Sequence, residues 1–347
     1  MKHDFKVTLF LIGLFLAAQM VGLVLLRVSL VESVDDQGNR VVSFDESKVG
    51  EVPEMSGLGF LLYVVIGISV GTALVLLLVR FRKANWWRAW FFLAVFVAIN
   101  FALKTFLSPP VAFVLAFVLA VWKIYKPNVV VHNLTEVFMY AGIAVFLVPL
   151  LNSMQNESFI GIPGNIFWAS LLLVLISVYD FIAVFKSKHM VSMAEFQTES
   201  KVFAGLLVQY KVKKDAVVDK VKGVVSRSIS RSVSKNARKA DIKAAPRLSK
   251  TDRKDLELPR IDLDERKTAI LGGGDIAFPL IFIGTVMFHL ANVVSISQAF
   301  LESAIIVATT TVALALLFIF AKKDKFYPAM PFISAGCFAG YFLVLLI

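Results

Sequence analysis

The chain has 347 residues, of which 58% are hydrophobic and 12% aromatic, and a mean hydropathy of +0.77. No water-soluble domain of this length is so apolar, and runs of 18 or more apolar residues recur, so the sequence describes a polytopic membrane protein. In such a protein the net charge of +11 marks cytoplasmic connections rather than nucleic-acid binding, and the single cysteine, Cys337, excludes an internal disulfide and a cysteine-rich metal site.

The expected fold is all-α: a membrane bundle of nine transmembrane helices, with the N-terminus cytoplasmic and the C-terminus outside. The spans fall at about 5–26, 57–79, 89–107, 111–124, 133–151, 165–186, 269–290, 299–321 and 327–347. The N-terminal stretch begins like a secretory signal, basic and then apolar. The apolar run Phe5–Leu26 is too long for a signal core and no small-residue cleavage site follows it, so it reads as a retained first span. The fourth span is short, and Pro109-Pro110 alone parts it from the third; eight spans is the alternative at this point. Charge decides between the counts. Segment 27–56 holds seven acidic residues against three basic ones, whereas Arg80–Arg88 (RFRKANWWR) holds four basic residues and no acid. Lys123 and Lys126 fall in the connection before the fifth span, and Lys322–Phe326 (KKDKF) is again basic. Basic connections thus occupy every second position, which nine spans satisfy and eight do not.

Glu136, near the start of the fifth span, reads as an interfacial residue, and Lys104 as one that snorkels to the surface. The long segment 187–268 carries twenty Lys or Arg and eleven Asp or Glu. Within it Val217, Val218, Val221, Val224, Val225 and Ile229 recur at helical spacing among cations. Either a basic amphipathic helix lies on anionic lipid or the segment is a solvated linker. The division expected is a five-span scaffold, 1–164, and a catalytic region, 165–347, that includes this cytoplasmic loop.

Two aspartates interrupt consecutive spans. Asp180 lies in the run Asn165–Phe185 and Asp275 in Ala269–Leu290. A carboxylate at membrane depth costs about 3 kcal/mol on insertion scales, and such residues are rare and face a partner or a wet cavity. Counting at 1.5 Å per residue puts both roughly 8–9 Å below the inner surface, at matching depth on antiparallel neighbours. Two carboxylates in one poorly solvated site hold a single proton between them. The ionised member can then take a proton from a water attacking a peptide carbonyl while the protonated member donates to the carbonyl oxygen. No cofactor or metal is required.

Gly272, Gly273 and Gly274 directly precede Asp275. They permit close backbone approach, or else form a small-residue packing seam. Tyr179 beside Asp180 is placed to hydrogen-bond the pair or to sit in the core. Tyr327-Pro328-Ala329-Met330-Pro331 opens the last span with two prolines, which implies irregular backbone lining the same cavity.

In this order the three places resemble the presenilin and signal peptide peptidase family of intramembrane aspartyl proteases. The family pattern is Tyr-Asp, Gly-x-Gly-Asp and Pro-Ala-Leu; here it reads Tyr179-Asp180, Gly272-Gly273-Gly274-Asp275 and Pro328-Ala329-Met330, with methionine in place of leucine. The nine-span layout and the long inner loop are similar too. The resemblance implies a hydrolase in which Asp180 and Asp275 are catalytic, Pro328–Met330 supports the site, and the substrates are transmembrane segments. Its inward N-terminus looks like presenilin rather than signal peptide peptidase, and its compact length resembles archaeal-type homologues that work in a microbial plasma membrane without partner subunits. Leu256, Leu258, Ile261 and Leu263 around Pro259 offer an extended stretch that could take substrate as an added strand, or a loop touching the membrane. The rival class is a cation or proton transporter or channel with both aspartates as ion ligands; their depth away from the midplane and the lack of an internal repeat argue against it. A prepilin-type peptidase shares Gly-x-Gly-Asp but accounts less well for Pro328 and for the length.

Overall fold

In lipid every backbone amide and carbonyl must be bonded within the protein, and runs of Leu, Val, Ile and Phe meet that requirement as helices. The computed structural model describes residues 5–35, 37–53, 55–81, 83–126, 128–152, 158–159, 161–187, 203–211, 266–321 and 327–347. Residues Met1–Val208 with Ile270–Ile347 form one unit and Gln209–Ala269 a second. Of the second, residues 209–211 and 266–269 are described, and both stretches are strand. The candidate amphipathic helix around Val217–Ile229 and the stretch around Leu258 lie outside the described residues.

The first unit is a helical bundle. Its elements are α1 (Phe5–Val28), β1 (Leu30–Val34), β2 (Arg40–Phe44), the single turn α2 (Glu46–Val49), α3 (Gly57–Arg80), α4 (Ala84–Lys104), α5 (Pro109–Tyr125) and α6 (Val129–Asn152). Then come the two-residue strands β3 (Ser158–Phe159) and β4 (Ile162–Pro163), α7 (Gly164–Ile182) with a π-helical turn over Ala183–Ser187, β5 (Gly205–Lys211) and β6 (Arg266–Gly272). The last three helices are α8 (Gly274–Ala291), α9 (Ile296–Phe320) and α10 (Met330–Leu345). Among the described residues seven helices are long and apolar enough to cross a membrane, and α5 and α10 are shorter apolar helices beside them. α5 starts with Pro109 in its first turn, where the missing amide costs nothing, so Pro109-Pro110 begins the helix rather than lying between helices. α9 starts at Ser295, whose Oγ accepts the Gln298 N–H at 3.2 Å.

The bundle is built around α8. It touches α1, α6, α7, α9 and α10, and Phe282, Ile283, Val286, Met287 and Phe288 along it are all buried. A helix apolar on every side must be enclosed by protein or by lipid, and α8 is enclosed by protein. α3, by contrast, leaves Leu62, Ile66, Val70 and Leu77 exposed, the surface that lipid would cover.

The all-α expectation needs one amendment: among the described residues there are three two-stranded sheets. β1 and β2 are antiparallel with Leu30 opposite Phe44. Gly38 turns the chain between them at φ 82°, a region glycine enters freely. This hairpin caps the C-terminal end of α8. Phe44 stacks on Phe288 at 5.0 Å, and the Val42 N–H donates to Asn292 Oδ1 at 3.2 Å. Asp35 and Asp45 pin its two ends: Asp35 accepts the Asn39 N–H and Asp45 the Ser47 hydroxyl and N–H, which hold both carboxyls below the usual range.

Glycines set the closest helix crossings. A Cβ on Gly142 of α6 would overlap the Ala98 carbonyl of α4, and Gly336 and Gly340, one turn apart on α10, lie against the backbone of α9 at Thr310 and Ile306. An alanine inside a helix ordinarily stabilises it relative to glycine by about 1 kcal/mol. Gly142→Ala should reverse that sign and cost about 2 kcal/mol through overpacking, because a backbone carbonyl cannot step aside. Gly71→Ala, where a Cβ meets nothing within 4 Å, should be neutral or stabilising. Thermal unfolding in detergent compares the two.

Candidate active site

Asp180 ends α7 and Asp275 begins α8, and these two helices are in contact. Asp180 meets free amides of a helix N-terminus, groups that no intrahelical carbonyl satisfies. Asp275 is in the first turn of α8 and accepts a hydrogen bond from the Gly272 backbone. Asp180 Oδ2 accepts the Met330 N–H of α10 at 3.2 Å, and the Ala329 amide also bonds to this carboxyl. The Pro328–Met330 segment therefore meets Asp180 through its backbone. Pro328 and the Met330 side chain are buried, and Met330 is part of the hydrophobic core.

The three glycines differ in surroundings. Gly272 sits over the Asp275 carboxylate, Gly273 leaves no room for a Cβ because the Tyr140 hydroxyl of α6 fills that space, and Gly274 is open. Tyr179 points away from this group. It is 46% exposed, and its hydroxyl lies 3.4 Å from Thr72 Oγ1 on α3. Successive helical residues are about 100° apart, so a neighbour of Asp180 in sequence cannot share its face.

Three further contacts support the aspartates, and the sequence reading placed none of them at the site. Gln19 of α1, fully buried, donates from Nε2 to the Ile276 carbonyl at 2.9 Å and so holds the first turn of α8. Its signal was a lone amide in an apolar run. Ser334 Oγ of α10 and Ser177 Oγ of α7 are 2.7 Å apart, one turn along each helix from Met330 and Asp180. The third is a buried polar cluster around Glu136.

Glu136 is a correction to the sequence reading. It is fully enclosed, not interfacial. Its Oε1 accepts from Lys123 Nζ, and its Oε2 accepts from the Tyr140 hydroxyl and, at 3.0 Å, from the Gly205 N–H. Lys123 likewise belongs to α5 and is buried; it does not lie in a charged connection. A buried cation and carboxylate in contact are compatible with lipid-facing helices, whereas either alone is not. The same turn of α6 holds β5. His132 Nε2 donates to the Gly205 carbonyl at 2.8 Å, Asn133 Nδ2 to the Leu207 carbonyl at 2.8 Å, and Asn133 Oδ1 accepts the Leu207 N–H at 2.9 Å. β5 pairs with β6, which runs directly into Gly272.

An open, mostly apolar groove runs between α7 and α10, lined by Val174, Ser177, Val178, Phe181, Pro331, Ser334, Ala335 and Phe338. Among the described residues no cluster of three or more His, Cys, Asp or Glu side chains is arranged to hold a metal ion.

Residues 12–347 match the family described as "Signal-peptide peptidase, presenilin aspartyl protease". No curated protein matches the chain. Two crystal forms of a presenilin family intramembrane aspartate protease, in space groups C222 and P2, share its fold. The first aligns over 98% of both chains and the second over 97% of both, each with a TM-score of 0.53 and 16% sequence identity.

Two outcomes follow from the site. Lys123→Met strands a buried carboxylate and should cost about 3–5 kcal/mol, most of which the double variant Lys123→Met/Glu136→Gln recovers; thermal unfolding of the two variants reads this. Met330→Leu should cost less than about 1.5 kcal/mol and keep the contact to Asp180, because a backbone amide makes it.

Proposed function

Because the chain belongs to the signal peptide peptidase and presenilin family of aspartyl proteases, we propose that it cleaves transmembrane segments with Asp180 and Asp275 as its catalytic pair. The observation that carries this reading is that α7 and α8, which bear the two carboxyls, are in contact, with the Met330 amide bonded to Asp180 and the Gly272 backbone to Asp275. One proton is shared. The ionised aspartate takes a proton from water as the water attacks the scissile carbonyl; the protonated one donates to the carbonyl oxygen and then to the leaving nitrogen.

The protein is an integral, multi-pass membrane protein. The full topology proposed is nine spans, with α5 and α10 counted and the N-terminus cytoplasmic, in a microbial plasma membrane. The basic segment 187–268 then faces anionic lipid, residues 1–164 are scaffold and 165–347 catalytic, and no partner subunit is required. An inward N-terminus favours substrate helices whose own N-termini are outside. The groove between α7 and α10 suits an apolar helix. Unwound substrate would add to β6, because side chains of α6 already bond the edge of β5 turned away from β6.

The test is cleavage of a labelled single-span peptide by the purified protein in liposomes, with products sized by mass spectrometry. Asp180→Ala and Asp275→Ala should each lower the rate by about 10³-fold or more. Cutting that survives either substitution, or ion flux without any cutting, would overturn the assignment.

A further inference from the structure

Gly205 and Leu207 are two residues apart, so their amides and carbonyls point to the same edge of β5. All four of these groups are bonded by one turn of α6: His132 and Glu136 hold Gly205, and Asn133 holds both groups of Leu207. A helix here takes the place of a third strand. The other edge of β5 pairs with β6. The same Glu136 oxygen that binds the Gly205 amide accepts the Tyr140 hydroxyl, and that hydroxyl fills the space over Gly273, two residues before Asp275. One buried carboxylate, balanced by Lys123, thus reaches the start of β5 directly and the end of β6 through Tyr140.

We propose that Asn133, Glu136 and Tyr140 are positioning residues that fix the register of the β5–β6 ladder against Asp275, and thereby which peptide bond of a substrate lined up on β6 meets the carboxylate pair. Strand register has a period of two, so a slip of one residue would turn every bonded amide of β5 to the wrong edge. Three α6 side chains on two β5 residues forbid that slip. β6 is held by its pairing with β5, and the Tyr140 hydroxyl lies against Gly273.

The substrate half of this proposal rests on the protease reading, whereas the clamp on the ladder does not. The experiment therefore pairs amide hydrogen exchange with cleavage in the full-length protein, using Tyr140→Phe, which keeps the ring, and Asn133→Ala, which leaves the Lys123–Glu136 pair intact. Both should raise exchange at residues 205–208 and 270–274 while leaving α9 and α10 unchanged. On a single-span peptide both should lower kcat about tenfold, the scale of one or two lost hydrogen bonds, with KM within about twofold. Both should also spread the cuts to neighbouring bonds. A cluster that served stability alone would lower the thermal midpoint and leave the bond cut unchanged, and that result overturns the proposal. Wild-type exchange in both variants overturns the clamp whether or not the protein cleaves. A wild type that does not cut, or an Asp275→Ala variant that still does, sinks the protease reading and the substrate half with it, and exchange alone then decides the clamp.

Discussion

An ionisable carboxyl at the end of a helix enclosed on every side, Asp275 on α8, is the constraint that the rest of the site answers. Lipid offers no hydrogen bonds, so each polar group near this end needs a protein partner. Gln19 holds the Ile276 carbonyl, the Gly272 backbone bonds Asp275, and the Tyr140 hydroxyl is backed by Glu136 and Lys123. Three other helices, α1, α5 and α6, contribute to the surroundings of one helix terminus. The C-terminal end of α8 is anchored just as firmly, by Phe44 and by the bond from Val42 to Asn292.

The two aspartates are held differently, and the difference bears on their chemistry. Asp180 closes a helix and receives amides from the start of another, α10, so its position depends on how α7 and α10 sit together. The Ser177–Ser334 contact fixes that pairing one turn away. Asp275 opens a helix and is fixed from α1 and α6.

Much of the site was legible in the chain because its elements are unusual in an apolar setting. Aspartate in a span, three consecutive glycines and a Pro-x-x-Pro at a helix start each break a local rule, and the structure brings these three places together. The readings that missed did so for geometric reasons. Tyr179 is next to Asp180 in sequence but a hundred degrees round the helix, and it faces Thr72. Glu136 and Lys123 looked like boundary residues because each was judged by its distance from a span end. They are thirteen residues apart on different helices, and only packing makes them a pair. The three glycines read as close backbone approach or as a packing seam, and over Gly273 it is Tyr140 of α6 that packs.

The sequence by itself determined the membrane setting, the run of apolar helices, the two aspartates and the family motifs around them, because these follow from composition and from local periodicity. Tertiary structure decided which side chains close the site: the Met330 amide on Asp180, Gln19 on Ile276, and one turn of α6 standing in for a strand beside β5. The physical reason is that burial satisfies polar groups with partners remote in the chain. Glu136 is 69 residues from Gly205 and Gln19 is 257 from Ile276, separations over which no local pattern carries information.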